Sequence, residues 1–203
     1  MVMHGRHKGL RLALGIMSLL AVILWMRVIY GFSGQNGTES TAVSNDLSGR
    51  MVRIIDRVLG KNKSPEEIQL LANQIETWVR KAAHGFEYSV LALLLYAHLS
   101  IYGISLGTKA FLSWFISTAY AFTDEWHQTA VAGRSASIED IIIDSVGAAL
   151  VLFVILIMAA NRQSRKVWRL EEERWELKQR QKAENRRRSR SRRDSYRDEG
   201  RDQ

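Results

Sequence analysis

Hydrophobic positions along this chain fall into two kinds of run. Four stretches, residues 10–30, 84–104, 106–123 and 138–160, are apolar almost without a break. A bilayer core of about 30 Å takes about 20 helical residues. The first and last runs meet that length outright and the second is adequate. In the third, the uncharged stretch 110–123 is short, but it can be extended backward over Lys109, whose long side chain can snorkel. Four transmembrane helices are predicted. Elsewhere the apolar residues recur at helical spacing. Leu47, Met51, Ile54, Ile55, Val58 and Leu59 alternate with Arg50, Arg53, Asp56 and Arg57, which predicts an amphipathic helix ending near Gly60. A second helix begins at Ser64, with Pro65 in its first turn and Glu67 completing a Ser-x-x-Glu capping box. Its apolar face is Ile68, Leu71, Ile75, Trp78, Val79 and Ala82. These two helices are expected to pack on each other or to lie in the membrane interface. Residues 31–45 read as a flexible linker by composition.

Charge orients this plan. The 203 residues carry a net charge of +8, and residues 162–203 hold 16 Lys+Arg against 9 Asp+Glu. The N-terminus carries Arg6, Lys8 and Arg11, and the short turn between the second and third runs is followed by Lys109. The positive-inside rule makes that side cytoplasmic, with 31–83 and 124–137 outside. The outer segment has seven bases against six acids, so the orientation rests on the two ends. No small-x-small site follows the first run, which reads as an uncleaved anchor rather than a signal peptide. The absence of cysteine excludes disulfides, thiol nucleophiles and cysteine metal sites. The fold class expected is an all-α integral membrane protein: a four-transmembrane-helix bundle with an extracytoplasmic helical segment and a charged cytoplasmic tail over 161–203. The tail reads as helical and then, in its arginine-serine stretch, disordered. Contact with anionic lipid of the inner leaflet is expected of it, and nucleic acid binding is not.

Ionisable groups cluster where the apolar runs meet water. Residues 122–144 contain five acids, a histidine and an arginine. A charge facing lipid at a helix centre costs roughly 2.5–3.5 kcal/mol on insertion scales, so such groups turn toward the bundle interior or water. Asp140, Asp144 and Gly147 share one helix face at i, i+4 and i+7. Asp124, His127 and Gln128 share a face with Tyr120 if the third run stays helical past its end. His84 sits beside Glu87 and Tyr88. All three sets fall at the outward end of their helices. They are expected to converge on one pocket, with Gly133 allowing a turn before Arg134. Binding candidates are His84, Glu87, Tyr88, Asp124, Gln128 and Arg134. Candidates for acid–base chemistry are Glu125, His127, Asp140 and Asp144. The simpler alternative has Arg134 pair with Asp140, and Asp144 with His84, to knit helix ends together. His98, alone in an apolar run, reads as a core histidine. No spacing is diagnostic of a metal site, and no cofactor is expected.

The same residues carry a family resemblance. His84, Glu87 and Tyr88 form a His-x-x-Glu-Tyr at the head of one run. Asp124, Glu125 and Gln128 form an Asp-Glu-x-x-Gln, followed by Gly133-Arg134 and then by Asp140, Asp144 and Gly147 leading into the last run. In order and spacing these motifs resemble the VanZ-like family of bacterial membrane proteins, over about residues 33–151. Alanine stands at position 132 where the family often has proline, and Asp144 where it often has asparagine. The resemblance implies four transmembrane helices and an association with low-level resistance to the glycopeptide teicoplanin.

The function expected is therefore that of a cell-envelope membrane protein whose outward polar pocket binds or modifies a surface or lipid-linked component. An intramembrane enzyme on a lipid-linked substrate, and a scaffold or regulator acting through its outer helices or basic tail, are the alternatives. The partners expected are the lipid bilayer and a lipid-linked or cell-wall component, with the oligomeric state open.

Overall fold

The computed structural model describes residues 2–35 and 37–199, the side chains of 2–7, 38–39 and 183–199 excepted. All regular structure among the described residues is helical: α1 (Val2–Ser33), α2 (Gly37–Leu59), α3 (Pro65–Ser100), α4 (Leu106–Gln128) and α5 (Ile138–Glu199). Two stretches, Lys8–Ser33 and Ile138–Lys182, are long and apolar enough to cross a membrane. By contact the chain divides into two units, Met1–Leu156 and Ile157–Gln203.

Local chemistry sets the helix ends. The Ser64 hydroxyl accepts from the Glu67 amide, and the Glu67 carboxylate accepts from the Ser64 amide at 2.9 Å, so the predicted capping box forms. Gly60, at φ 62°, ends α2 in the left-handed conformation that glycine adopts without a Cβ penalty. Ser105 caps α4 by accepting from the Thr108 amide.

Four boundaries differ from the sequence reading. Residues 37–45 are not linker: α2 begins at Gly37, and Thr41 and Ser44 hydroxyls return hydrogen bonds to the preceding turn. The second amphipathic helix and the second apolar run are one helix, α3, because no breaker separates Ala82 from His84. Residues 124–128 are not loop but the last turn of α4, since no glycine or proline intervenes before Gly133. The tail backbone is helical to Glu199, farther than expected for its arginine-serine stretch, which is rich in the good helix former Arg. Residues 200–203, expected to be disordered, lie outside the described residues.

In the first unit, α3 is the central helix. Val22 and Ile29 of α1 pack with Tyr88, Leu91 and Leu95 of α3 and Ala121 of α4. A second cluster joins Ala92 of α3 to Ala148 and Leu152 of α5, with Trp114 of α4 beside them. Trp25 Nε1 donates to the Glu87 carbonyl at 2.9 Å and the Tyr120 hydroxyl to the Met26 carbonyl at 2.8 Å, fixing the rotation of α1. His98 bonds Ser18 at 2.8 Å and meets Tyr102 edge-on, so it is the satisfied core histidine expected. Helix α2 packs on α3 through small residues, Ser44 and Ser48, and through Val52, while Ser44 donates to Glu76 at 2.6 Å. Its large apolar residues, Leu47, Met51, Ile54, Ile55, Val58 and Leu59, remain exposed. The second unit, taken by itself, is a charged helical stretch on which Trp168, Leu170, Trp175 and Leu177 are exposed.

Candidate functional site

The start of α3's apolar half, the end of α4 and the first turns of α5 lie together, and two layers of polar groups form there. Nearest the surface is a cavity of about 290 Å³. His84, Gln128, Arg134 and Asp140, all expected at the site, line it together with Arg80, Ser40, Thr41 and Ser137. The turn after α4 presents Arg134: Gly133 takes φ 76°, and the Gly37 amide donates to the Ala132 carbonyl at 3.4 Å, tying this turn to the start of α2. Arg134 Nη1 donates to Gln128 Oε1 at 3.3 Å. The ion pairs offered as the simpler alternative do not form: neither Arg134–Asp140 nor His84–Asp144 comes within 4.0 Å. Instead His84 Nδ1 lies 3.8 Å from Glu87, and Lys81 pairs with Glu139.

Beneath the cavity is a buried layer. Tyr88 and Ser33 are almost wholly enclosed, and Asp124 and Asp144 are 3% and 2% exposed. Glu87 Oε2, Asp124 Oδ1, Asp144 Oδ1 and the Tyr88 and Ser33 hydroxyls have no hydrogen-bond partner among the described protein atoms. Asp124 is held above the usual carboxylate range by burial, opposed by the nearby Ser33, Gln128, His127 and Tyr88 side chains. The two hydroxyls approach it without completing hydrogen bonds of regular geometry. An isolated buried carboxylate costs far more than a buried acid, so burial favours the protonated form of Asp124.

Two candidates have other employment. Glu125, also 3% exposed, accepts from the Ser137 amide at 2.8 Å and so anchors the start of α5 to the end of α4. Burial raises its carboxyl and that hydrogen bond lowers it, the first effect being larger. The His127 ring stacks on Tyr30 with centroids 4.2 Å apart, away from the cavity lining.

Helix contact explains how the layers stay closed. A Cβ placed on Gly147 would lie 2.2 Å from the Gly85 carbonyl oxygen, so α5 and α3 touch backbone to backbone. The Ser89 hydroxyl lies 2.7 Å from both the Gly85 and Gly147 carbonyl oxygens, bridging that contact. The sequence places Gly147 on the face of Asp140 and Asp144, but does not show its partner Gly85, nor Arg80, Ser40, Thr41, Ser137 and Ser33. Arg80 precedes His84 by one helical turn, a spacing that identifies it; Ser40 and Thr41 fall in the stretch whose composition reads as linker.

Among the described residues no group of three or more His, Asp or Glu is arranged to hold a metal ion. The described residues form an all-helical protein with two helices long and apolar enough to cross a membrane and with buried ionisable groups at one end of its helix packing. A family model described as VanZ/LLP1 matches residues 18–159, and the chain belongs to that family. Searches of curated proteins and of solved structures each return no match.

Proposed function

We propose that this is a four-span protein of the bacterial cell membrane with both termini cytoplasmic. Its outward cavity binds or modifies a small polar group of a surface or lipid-linked envelope component, and by doing so lowers teicoplanin susceptibility. One observation carries the reading: four residues of the family pattern, His84, Gln128, Arg134 and Asp140, line one cavity although they come from separate segments of the chain. The four-span topology is supported by apolar side chains that stay exposed along α1, α4 and the first part of α5, such as Leu20, Phe111, Phe115 and Phe153. Lipid would cover them, since a soluble monomer rarely shows patches of that extent.

The cavity volume also separates direct from indirect action. At about 290 Å³ it takes a headgroup-sized moiety and is too small to enclose a glycopeptide antibiotic. Resistance then works through the envelope component. Arg134 holds the ligand, and Asp140 with His84 orients it or moves a proton at it. Asp144 and Asp124 act from below. The second reading, chemistry on a lipid-linked substrate, is favoured by Asp140 and His84 sharing the cavity wall above unpaired buried acids.

A strain lacking this protein, complemented at matched membrane levels, tests the proposal. Wild type is expected to restore teicoplanin tolerance and Arg134→Ala to fail. Full complementation by Arg134→Ala would remove the cavity from the function. Loss of function in Asp140→Asn, with ligand binding intact, would favour the enzyme.

A further inference from the structure

We infer that the cavity is an oxyanion site for a phosphate group, with Arg80 and Arg134 as its ion-pairing residues. This rests on the reading of the cavity as a ligand site and names the chemistry of what enters it.

Two guanidinium groups from different segments, one on α3 and one on the turn after α4, line the same small space. Like charges brought together in this way repel unless an anion lies between them. Arg134 is half-buried, and its partner among the described side chains is a neutral amide oxygen, which uses one of five N–H donors. Arg80 is only loosely held. Its nearest carboxylate oxygen, on Glu76, is 3.8 Å away and is already engaged at 2.6 Å by the Ser44 hydroxyl. Asp140 is the single acid among the lining residues, against two permanent cations and His84.

Two helix beginnings add to this field. Gly37 is the first residue of α2, and Ser137 immediately precedes α5; both line the cavity. Their own amides are engaged, Gly37 by the Ala132 carbonyl and Ser137 by Glu125, but the positive dipole end of each helix still faces this space, a setting that favours phosphate. Glu139 and Asp140 in the first turn of α5, and Glu125 on the Ser137 amide, take part of that field, so the two guanidinium groups carry most of the attraction for an anion. The fork of a guanidinium matches two phosphate oxygens at once, which an ammonium does not. The Ser40 and Ser135 hydroxyls can donate to remaining oxygens. The cavity volume of about 290 Å³ suits a phosphate or diphosphate ester. It falls at the bottom of the roughly 300–1,000 Å³ range of small-molecule sites.

The phosphate can belong to a membrane lipid headgroup or to a soluble ester, and binding separates the two. The full chain, purified in detergent, is titrated with inorganic phosphate, diphosphate and short-chain phosphatidic acid, with phosphatidylcholine as the zwitterionic control. Affinity is read from ligand-dependent thermal stabilisation and from calorimetry. Saturable binding of a phosphate monoester or diphosphate probe is expected. Arg80→Gln and Arg134→Gln should each weaken it roughly tenfold or more, the loss expected for a charge-assisted contact. Arg80→Lys and Arg134→Lys should retain part of it. Binding of phosphatidic acid without binding of the free anions assigns the lipid source; binding of all three assigns the oxyanion itself. The inference is overturned if no probe binds the wild type, or if glutamine variants with wild-type unfolding temperatures bind unchanged. Phosphate binding with unaltered drug susceptibility in Arg134→Gln supports this inference and removes the envelope role. Lost complementation with no phosphate binding does the reverse.

Discussion

Gly147 shows how much one residue decides here. Its absent side chain is what lets α5 touch α3, because the space a Cβ needs is filled by the Gly85 carbonyl oxygen. Backbone cannot swing aside as a flexible side chain can. Gly147→Ala is therefore expected to cost about 1–3 kcal/mol, the range for overpacking, and to lower the unfolding temperature in detergent. Gly85→Ala is the control: its Cβ would meet Ile143 at 3.5 Å, an ordinary contact, and should be tolerated. Asp124 is the second deciding residue. Burial raises its carboxyl above the unfolded value, so the folded state binds a proton more tightly than the unfolded state does. The stabilising difference is present below the ordinary carboxylate range and is lost as pH rises through the raised value. Unfolding temperature should fall over that window in the wild type, and Asp124→Asn should flatten the fall. Equal slopes in the two proteins would remove Asp124 as the source.

At the scale of elements, the junction from α4 to α5 carries most of the site. Residues 129–137 have no regular structure, and what ties their far end down is the Glu125 carboxylate on the Ser137 amide. A glutamine in place of Glu125 would still offer an acceptor oxygen, whereas an alanine would not. Glu125→Gln should keep backbone amides of residues 129–137 as protected from hydrogen exchange as in the wild type, and Glu125→Ala should expose them. If Glu125→Gln keeps that protection and still loses function, the carboxylate does more than hold the junction. At the other end of the amphipathic segment, the capping box at Ser64 is a separable contribution. Ser64→Ala is expected to cost about 1 kcal/mol without touching the cavity, and a thermal melt reads it directly.

At the scale of the whole molecule, topology and tail are open to direct measurement because the chain has no native cysteine. A single cysteine introduced in place of Ser135, on the cavity wall, should react with a membrane-impermeant maleimide added to intact cells, and one in place of Ser189 should not. The opposite pattern would turn the cavity to the cytoplasm and end the envelope proposal. The cavity and the buried layer lie within the first unit, Met1–Leu156. Deleting residues 165–203 is thus expected to leave drug susceptibility and phosphate binding within about twofold of wild type, well inside the tenfold loss expected of a cavity arginine. A larger effect from that deletion than from Arg134→Ala would favour the scaffold reading.

The sequence alone determined the helical fold class, the capping box, the family, and which ionisable residues stand near helix ends. These depend on local periodicity, on side-chain-to-backbone bonds within one turn and on ordered motifs, all carried by neighbours along the chain. It did not determine that α2 starts at Gly37, because serine, threonine and glycine read as linker until packing on α3 rewards a small-residue face. Nor did it divide the polar set. Whether a side chain lines the cavity with Arg134, sits buried beneath with Asp144, or is spent on another contact as His127 is on Tyr30 follows from the rotation of each helix. That rotation is set by distant contacts, Trp25 on the Glu87 carbonyl, Tyr120 on the Met26 carbonyl and Gly147 against Gly85, and these exist only once the helices have met.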